Sequence, residues 1–111
     1  MTMFENELKK GNFVISECNS CKITVWPPSD YCNNCFSHTT WRKIDPVGKL
    51  IEFSKKEETV FGMIELEGKI RLIGTLKINS SDIREGQCVR LHSCNYDKGP
   101  QFTFVSCNGS Y

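Results

Sequence analysis

The residues of this chain best suited to chemistry are its cysteines. Seven occur in 111 residues, and four form two pairs of identical spacing, Cys18-x2-Cys21 and Cys32-x2-Cys35, with ten residues between the pairs. Each Cys-x-x-Cys turn brings two sulfurs to one side of a metal ion, and two such turns close a tetrahedron of thiolates, as in a zinc ribbon. With sulfur at all four positions no site is left for water or substrate, so the reading is structural zinc. Metal binding of about 10 kcal/mol then stands in for an apolar core. Two other readings use the same residues. Disulfides are disfavoured because Met1-Thr2-Met3-Phe4-Glu5-Asn6-Glu7 is acidic, without the apolar run of an export signal or membrane span. A reducing, cytoplasmic location is therefore expected. Iron also accepts four thiolates, but electron-transfer sites of that kind usually carry glycine after the second cysteine of each pair. Here those positions are Lys22 and Phe36.

The remaining ionisable residues make no catalytic set. Cys88, Cys94 and Cys107 lack metal-ligand spacing; Cys88 and Cys94 are expected to share a strand face, opposite Val89 and Leu91, as ordinary small barrel residues. His38 lies three residues past Cys35, but four cysteines make a fifth ligand unnecessary. His92, Asp30 and the scattered carboxylates form no acid–base pair, and no glycine-rich phosphate loop occurs, so the chain reads as a non-enzyme. Fourteen basic residues face thirteen acidic ones, five against four in residues 1–43 and nine against nine in 44–111. Four thiolates on a divalent ion lower the formal charge from +1 to about −1. Nucleic-acid affinity rests on phosphate neutralisation, and this balance argues against it. A zinc-ribbon and OB-fold nucleic-acid module is nonetheless the second reading, with Phe53, Phe61 and Phe102 as its stacking platform.

The elements that position these residues follow from local pattern. Thr2-Met3-Phe4-Glu5 reads as a capping box, Lys9-Lys10 suit the negative end of a helix dipole, and Gly11 suits the position just past it. A helix of about nine residues is marginal alone, so its apolar face, Phe4 and Leu8, must dock on its own domain or on a partner. Strand-like pieces at 12–17, 22–26 and 38–44 surround the cysteines, with Trp26-Pro27-Pro28 stiffening the run between the pairs. From Ile44 onward five strands are expected, at 49–54, 59–66, 69–78, 87–95 and 101–107. Glu67-Gly68 is a tight turn, and Asp82 to Gly86 a single helical turn between the third and fourth strands. The fold expected is mostly β: a short N-terminal helix and four-cysteine zinc ribbon in residues 1–43, then a five-stranded OB-type Greek-key barrel in 44–111. In an OB-fold, Lys55 and Lys56 lie at the loop joining the first two strands, and Tyr96 and Lys98 at the loop joining the last two. Those loops flank the usual ligand face, so these four residues are the candidates for touching a phosphate-bearing ligand.

The order of several short stretches is familiar. Gly11-Asn12-Phe13 leads into Cys18-x2-Cys21, and Trp26-Pro27-Pro28 precedes Cys32-x2-Cys35. Trp41, Val47-Gly48, Ile64-Glu65-Leu66-Glu67-Gly68 and Asp82-Ile83-Arg84-Glu85-Gly86-Gln87-Cys88-Val89 then follow. From about Phe4 to Phe104 the chain resembles the uncharacterised-function family that joins a rubredoxin-like zinc ribbon to an acyl-CoA-associated OB-fold. It departs from that family's pattern at Lys22, Ser29 and Asn33 and in a shorter link between the first two barrel strands. The resemblance implies a non-catalytic companion of thiolase-superfamily acyltransferases. In its archaeal form it implies a bridge between acetoacetyl-CoA thiolase and hydroxymethylglutaryl-CoA synthase, with CoA or acyl-CoA near the barrel loops. Phe4, Leu8, Trp26, Phe36 and Trp41 are the apolar residues expected to dock on the partner.

Overall fold

The computed structural model describes residues 2–107 of the chain. Helix α1, Met3–Lys9, is fixed by its ends. The Glu5 N–H donates to the Thr2 hydroxyl at 3.2 Å, and the Thr2 N–H donates to the Glu5 carboxylate at 3.0 Å. Two otherwise orphaned donors are thereby satisfied. Gly11, at φ 87°, ends the helix in the left-handed region open to glycine. Three short antiparallel strands follow in spatial order β2-β1-β3: β1 Val14–Cys18, β2 Ile23–Val25 and β3 Thr40–Lys43.

The second half is a closed barrel of β4 Val47–Lys56, β5 Thr59–Leu66, β6 Ile70–Leu76, β7 Cys88–Tyr96 and β8 Pro100–Ser106. Neighbours run in the order β4-β5-β6-β8-β7, and β7 pairs back to β4. All pairs are antiparallel except β6 with β8, which is the OB arrangement. Glu67 and Gly68, at φ 54° and 68°, make the expected tight turn. In the link to β7 the single turn is a 3-10 turn at Ser80–Asp82, earlier than expected, and Gly86 at φ 88° leads into the strand.

Period-two alternation places Ile64, Leu66, Ile70, Leu72 and Leu76 inside the barrel and leaves Ile73 66% exposed. The interior is narrow. A Cβ on Gly74 would stand 2.8 Å from the Phe104 ring, and one on Gly62 would stand 2.7 Å from Leu50 Cδ1. One expectation fails on β7. Its register with β8 slips between Leu91 and Ser93, a bulge at His92 that breaks the even count. Val89 and Cys94 therefore both point into the core while Cys88 is exposed, so Cys88 and Cys94 do not share a face.

The two halves share one core. Leu8, Phe13, Ile15 and Ile44 belong to the same buried cluster as Leu50, Val89, Phe102 and Phe104 of the barrel. The Phe13 ring stacks on Phe102 with centroids 4.7 Å apart, and Phe4 meets Phe13 and Trp26 edge-on at 6.0 Å. At the rim, the Arg42 guanidinium of β3 holds Glu17 of β1 and forks onto both oxygens of Glu67 in the β5–β6 turn. Glu67 also accepts from the Asp45 N–H at 2.9 Å. The hydrogen bonds from Arg42, ahead of the opposing cost of burial, hold Glu67 below its ordinary 4.5.

This seam can be tested at two points. Leu8→Ala, which empties a fully buried site, should cost about 2–5 kcal/mol and lower one urea midpoint for helix and barrel together. A barrel transition that stays put would show a separate helix. Glu67→Gln should cost about 1 kcal/mol at neutral pH, the scale of a well-formed bidentate pair. A lowered folded pKa stabilises above the unfolded value and is lost as pH falls through the folded one. The gap between wild type and variant should therefore close as pH drops below 4.5; a constant gap in denaturation at both pH values would remove the ion pair as its cause.

Candidate metal centre and flanking surfaces

The end of β1, the turn into β2 and the loop from Pro27 to β3 bring Cys18, Cys21, Cys32 and Cys35 together, their sulfurs all within 4.8 Å of one another. Cys18 Sγ lies 3.4 Å from Cys35 Sγ, and Cys32 Sγ lies 3.9 Å from Cys21 Sγ. Sulfurs at about 2.3 Å from a tetrahedral metal sit about 3.8 Å apart, so the four donors fit one such ion. Cys18 and Cys32 are buried, Cys21 is half-buried and Cys35 exposed. Among the described residues no other group of three or more metal-ligating side chains converges in this way.

Local backbone geometry builds each half of the cluster. The Lys22 N–H donates to the Cys18 carbonyl and the Phe36 N–H to the Cys32 carbonyl, both at 2.8 Å. Closing these turns puts Lys22 and Phe36 at φ 60° and 62°. The absence of glycine there therefore does not prevent the knuckle geometry. It carries a conformational cost of about 1–3 kcal/mol each, offset by what the knuckles hold. The Cys21 N–H donates to Cys18 Sγ at 3.3 Å and the Asn34 N–H to Cys32 Sγ at 3.4 Å. The Asn34 side-chain amide donates to Cys21 Sγ at 3.3 Å. Such donors spread thiolate charge and orient the ligands. Hydrogen bonds from the side chain and backbone of Ser37 lower Cys35 to about 6. Cys21 is raised to about 11: the Asn34 amide lowers it, but hydrogen bonding with Cys35, burial, and contact with Cys18 and Cys32 together outweigh that. Behind the cluster, buried Ser16 donates its hydroxyl to the Val25 carbonyl and accepts from the Ser29 N–H, pinning the Trp26-Pro27-Pro28 run to β1.

The other residues singled out in the sequence fall into two sets. Leu8 is fully buried, and Phe4, Trp26 and Trp41 are half-buried. Phe4 and Trp26 pack on the shared core. Phe36 is 77% exposed, with Tyr31 and Ile23 also exposed on the ribbon. Tyr31 rests on His38 with ring centroids 4.6 Å apart. Lys55, Lys56 and Lys98 are solvent-exposed. Tyr96 is half-buried, and its phenol hydrogen bonds to Glu5 of α1, which raises it. Of the three proposed stacking aromatics, Phe102 is buried beneath Phe13 and joins no platform. Phe53 and Phe61 stay exposed and line an open groove with Met63 and Ile73 on the outer face of β4–β6.

A pair missed in the sequence is Cys88 with Cys107, joined as a disulfide. The available signal was near-symmetry: Cys88 lies eight residues before the end of β7 and Cys107 seven past the start of β8, and the bulge at His92 takes up the extra residue, so hairpin pairing brings them opposite one another.

No known family model matches the chain, and no curated protein sequence matches it. Solved structures do. A chain of the Ltp2-ChsH2(DUF35) aldolase superposes with a TM-score of 0.71 at 21% identity, covering 93% of this chain and 91% of that one. A protein of unknown function from the DUF35 family of Sulfolobus solfataricus gives 0.60 at 16% identity, over 90% of this chain and 81% of its own. The chain thus has the ribbon-plus-barrel fold of those proteins.

If Asn34 tunes the cluster as its position indicates, Asn34→Ala should weaken metal affinity about 10–100-fold in chelator competition. Cys32→Ser should abolish stoichiometric metal in elemental analysis. Full metal retention in both variants would contradict this geometry.

Proposed function

We propose that the chain is a non-catalytic accessory subunit that docks on a thiolase-superfamily acyl-CoA enzyme in the cytoplasm, its ribbon built by one structural zinc ion. The observation that carries this reading is the shared fold over 93% of the chain with a component of an aldolase assembly, joined to the order of motifs in the sequence. Zinc suits a closed set of four sulfurs with no position open for substrate. Paired or capping roles occupy several charged side chains, as in Arg42–Glu67, Arg71–Glu65 and Glu5–Thr2, which supports a role without acid–base chemistry.

In this reading the ribbon tip is the docking element. Phe36 is held in a left-handed backbone conformation and stays 77% exposed. An aromatic fixed in place and left in water is what interfaces use as an anchor. Lys55, Lys56 and Lys98 are then the cations nearest any CoA phosphate, and the exposed face of Phe61, Met63 and Ile73 lies on the same barrel. Acetoacetyl-CoA thiolase and hydroxymethylglutaryl-CoA synthase are the pair to test first as bridged enzymes.

Affinity capture of the tagged chain from native lysate should recover an acyl-CoA enzyme of the thiolase superfamily, identified by mass spectrometry. Phe36→Ala should weaken that complex tenfold or more, about 1.4 kcal/mol, with zinc content unchanged. Capture that yields no acyl-CoA enzyme, or single-stranded nucleic acid instead, would sink the reading.

A further inference from the structure

The seven cysteines divide into three chemically distinct kinds. Four converge on one metal position. Cys94 is 8% exposed in the barrel core, where desolvation raises its thiol and keeps it unreactive. Cys88 and Cys107 remain, at the first residue of β7 and just past the end of β8. Their Cα atoms are 5.5 Å apart, and the Cys107 N–H donates to the Cys88 carbonyl at 3.3 Å. The β7–β8 ladder itself therefore holds the two residues at bonding range, so the sulfurs can join or part without backbone rearrangement. Cys88 is exposed and Cys107 half-buried, so small thiols can reach the bond.

The location gives the bond a task. Barrel closure between β4 and β7 is flanked by backbone hydrogen bonds from the Leu50 N–H to the Gln87 carbonyl and from the Leu91 N–H to the Pro46 carbonyl, and between them holds three residue pairs, Val47–Arg90, Gly48–Val89 and Lys49–Cys88. Cys88 is the last of these and is also the residue tied to the end of β8. We propose that Cys88 and Cys107 form a reversible dithiol–disulfide site, exchanging with small disulfides of the glutathione class, whose closed form fastens the end of β8 to the seam that seals the barrel.

Oxidation begins when the Cys88 thiolate attacks one sulfur of the small disulfide. That S–S bond breaks, one small thiolate leaves with the electron pair and takes up the proton Cys88 released, and a mixed disulfide stands on Cys88. The Cys107 thiolate then attacks the Cys88 sulfur and expels the second small thiolate, which takes up the Cys107 proton. Two protein thiols become one disulfide as one small disulfide becomes two thiols. Reduction runs the same steps backwards. An exposed bond of this kind responds to the surrounding thiol pool more readily than a buried one, which lets it coexist with a thiolate metal cluster in one chain.

The test is equilibration of the metal-loaded, full-length chain in buffers of graded reduced-to-oxidised glutathione, followed by acid quench, alkylation under denaturing conditions and peptide mass spectrometry. Cys88 and Cys107 should pass together through a single transition from alkylated to disulfide-linked. The other five cysteines should be recovered as thiols at every ratio. In the reduced form, and in Cys88→Ser/Cys107→Ser, backbone amides at the end of β8 should exchange with solvent at least tenfold faster, with α1 unchanged. Cys88 and Cys107 staying thiols in the most oxidising buffer, staying linked in the most reducing one, or pairing with other cysteines would overturn the site. Equal exchange at β8 in oxidised and reduced wild type would overturn the fastening role, and this comparison holds even if the double variant fails to fold.

Discussion

The stack of Phe13 on Phe102, ring centroids 4.7 Å apart, is the contact on which the arrangement of this chain depends. The ribbon has little interior of its own. Beyond the cluster cysteines, Val25 is the buried apolar side chain in its private core. Its base is therefore shared with the barrel, whose core Phe13, Ile15 and Ile44 of the ribbon side join, with α1 sealing the edge through Leu8. A four-cysteine cluster fit to hold a metal ion at the tip and a shared core at the base address the same problem, that a few dozen residues cannot bury enough apolar surface to offset chain entropy. The Arg42 fork onto Glu67 adds direction to this non-directional packing and sets how the ribbon stands on the barrel. A strained, exposed Phe36 is thus presented on a rigid support, which is what a docking residue requires.

Much of this was legible in residues acting locally. The capping box of Thr2 and Glu5, Gly11 past the helix end, the Glu67-Gly68 turn and the alternation through β6 depend on neighbours in sequence, and each forms as expected. The four-cysteine cluster was legible for the same reason, since each Cys-x-x-Cys pair is a local turn. The order of short strands with a break before β7 pointed to the barrel, and the closed strand order bears it out.

Features set by tertiary contacts were not legible. A bulge at His92 depends on how β7 meets β8, and it alone decides that Cys94 faces the core and Cys88 does not. Partnering of Phe102 with Phe13, rather than with a ligand, joins residues from opposite ends of the chain. Phe4 and Leu8 take the own-domain docking that the helix face allowed, whereas the tie of Tyr96 to Glu5 had no signal in the sequence. The backbone at Lys22 and Phe36 shows a propensity overruled: knuckle closure demands positive φ, and the chain meets that demand without glycine.

The central claim is that a metal-built ribbon, held rigidly on an OB barrel, makes this chain a subunit of an acyl-CoA enzyme. Native mass spectrometry of the endogenous assembly tests it most directly. The account predicts an acyl-CoA enzyme of the thiolase superfamily carrying copies of this 12.7 kDa chain, each with one zinc ion, and release of the chain when a chelator strips the metal. A chain found free of any enzyme, or bound to its enzyme just as tightly without metal, would contradict it.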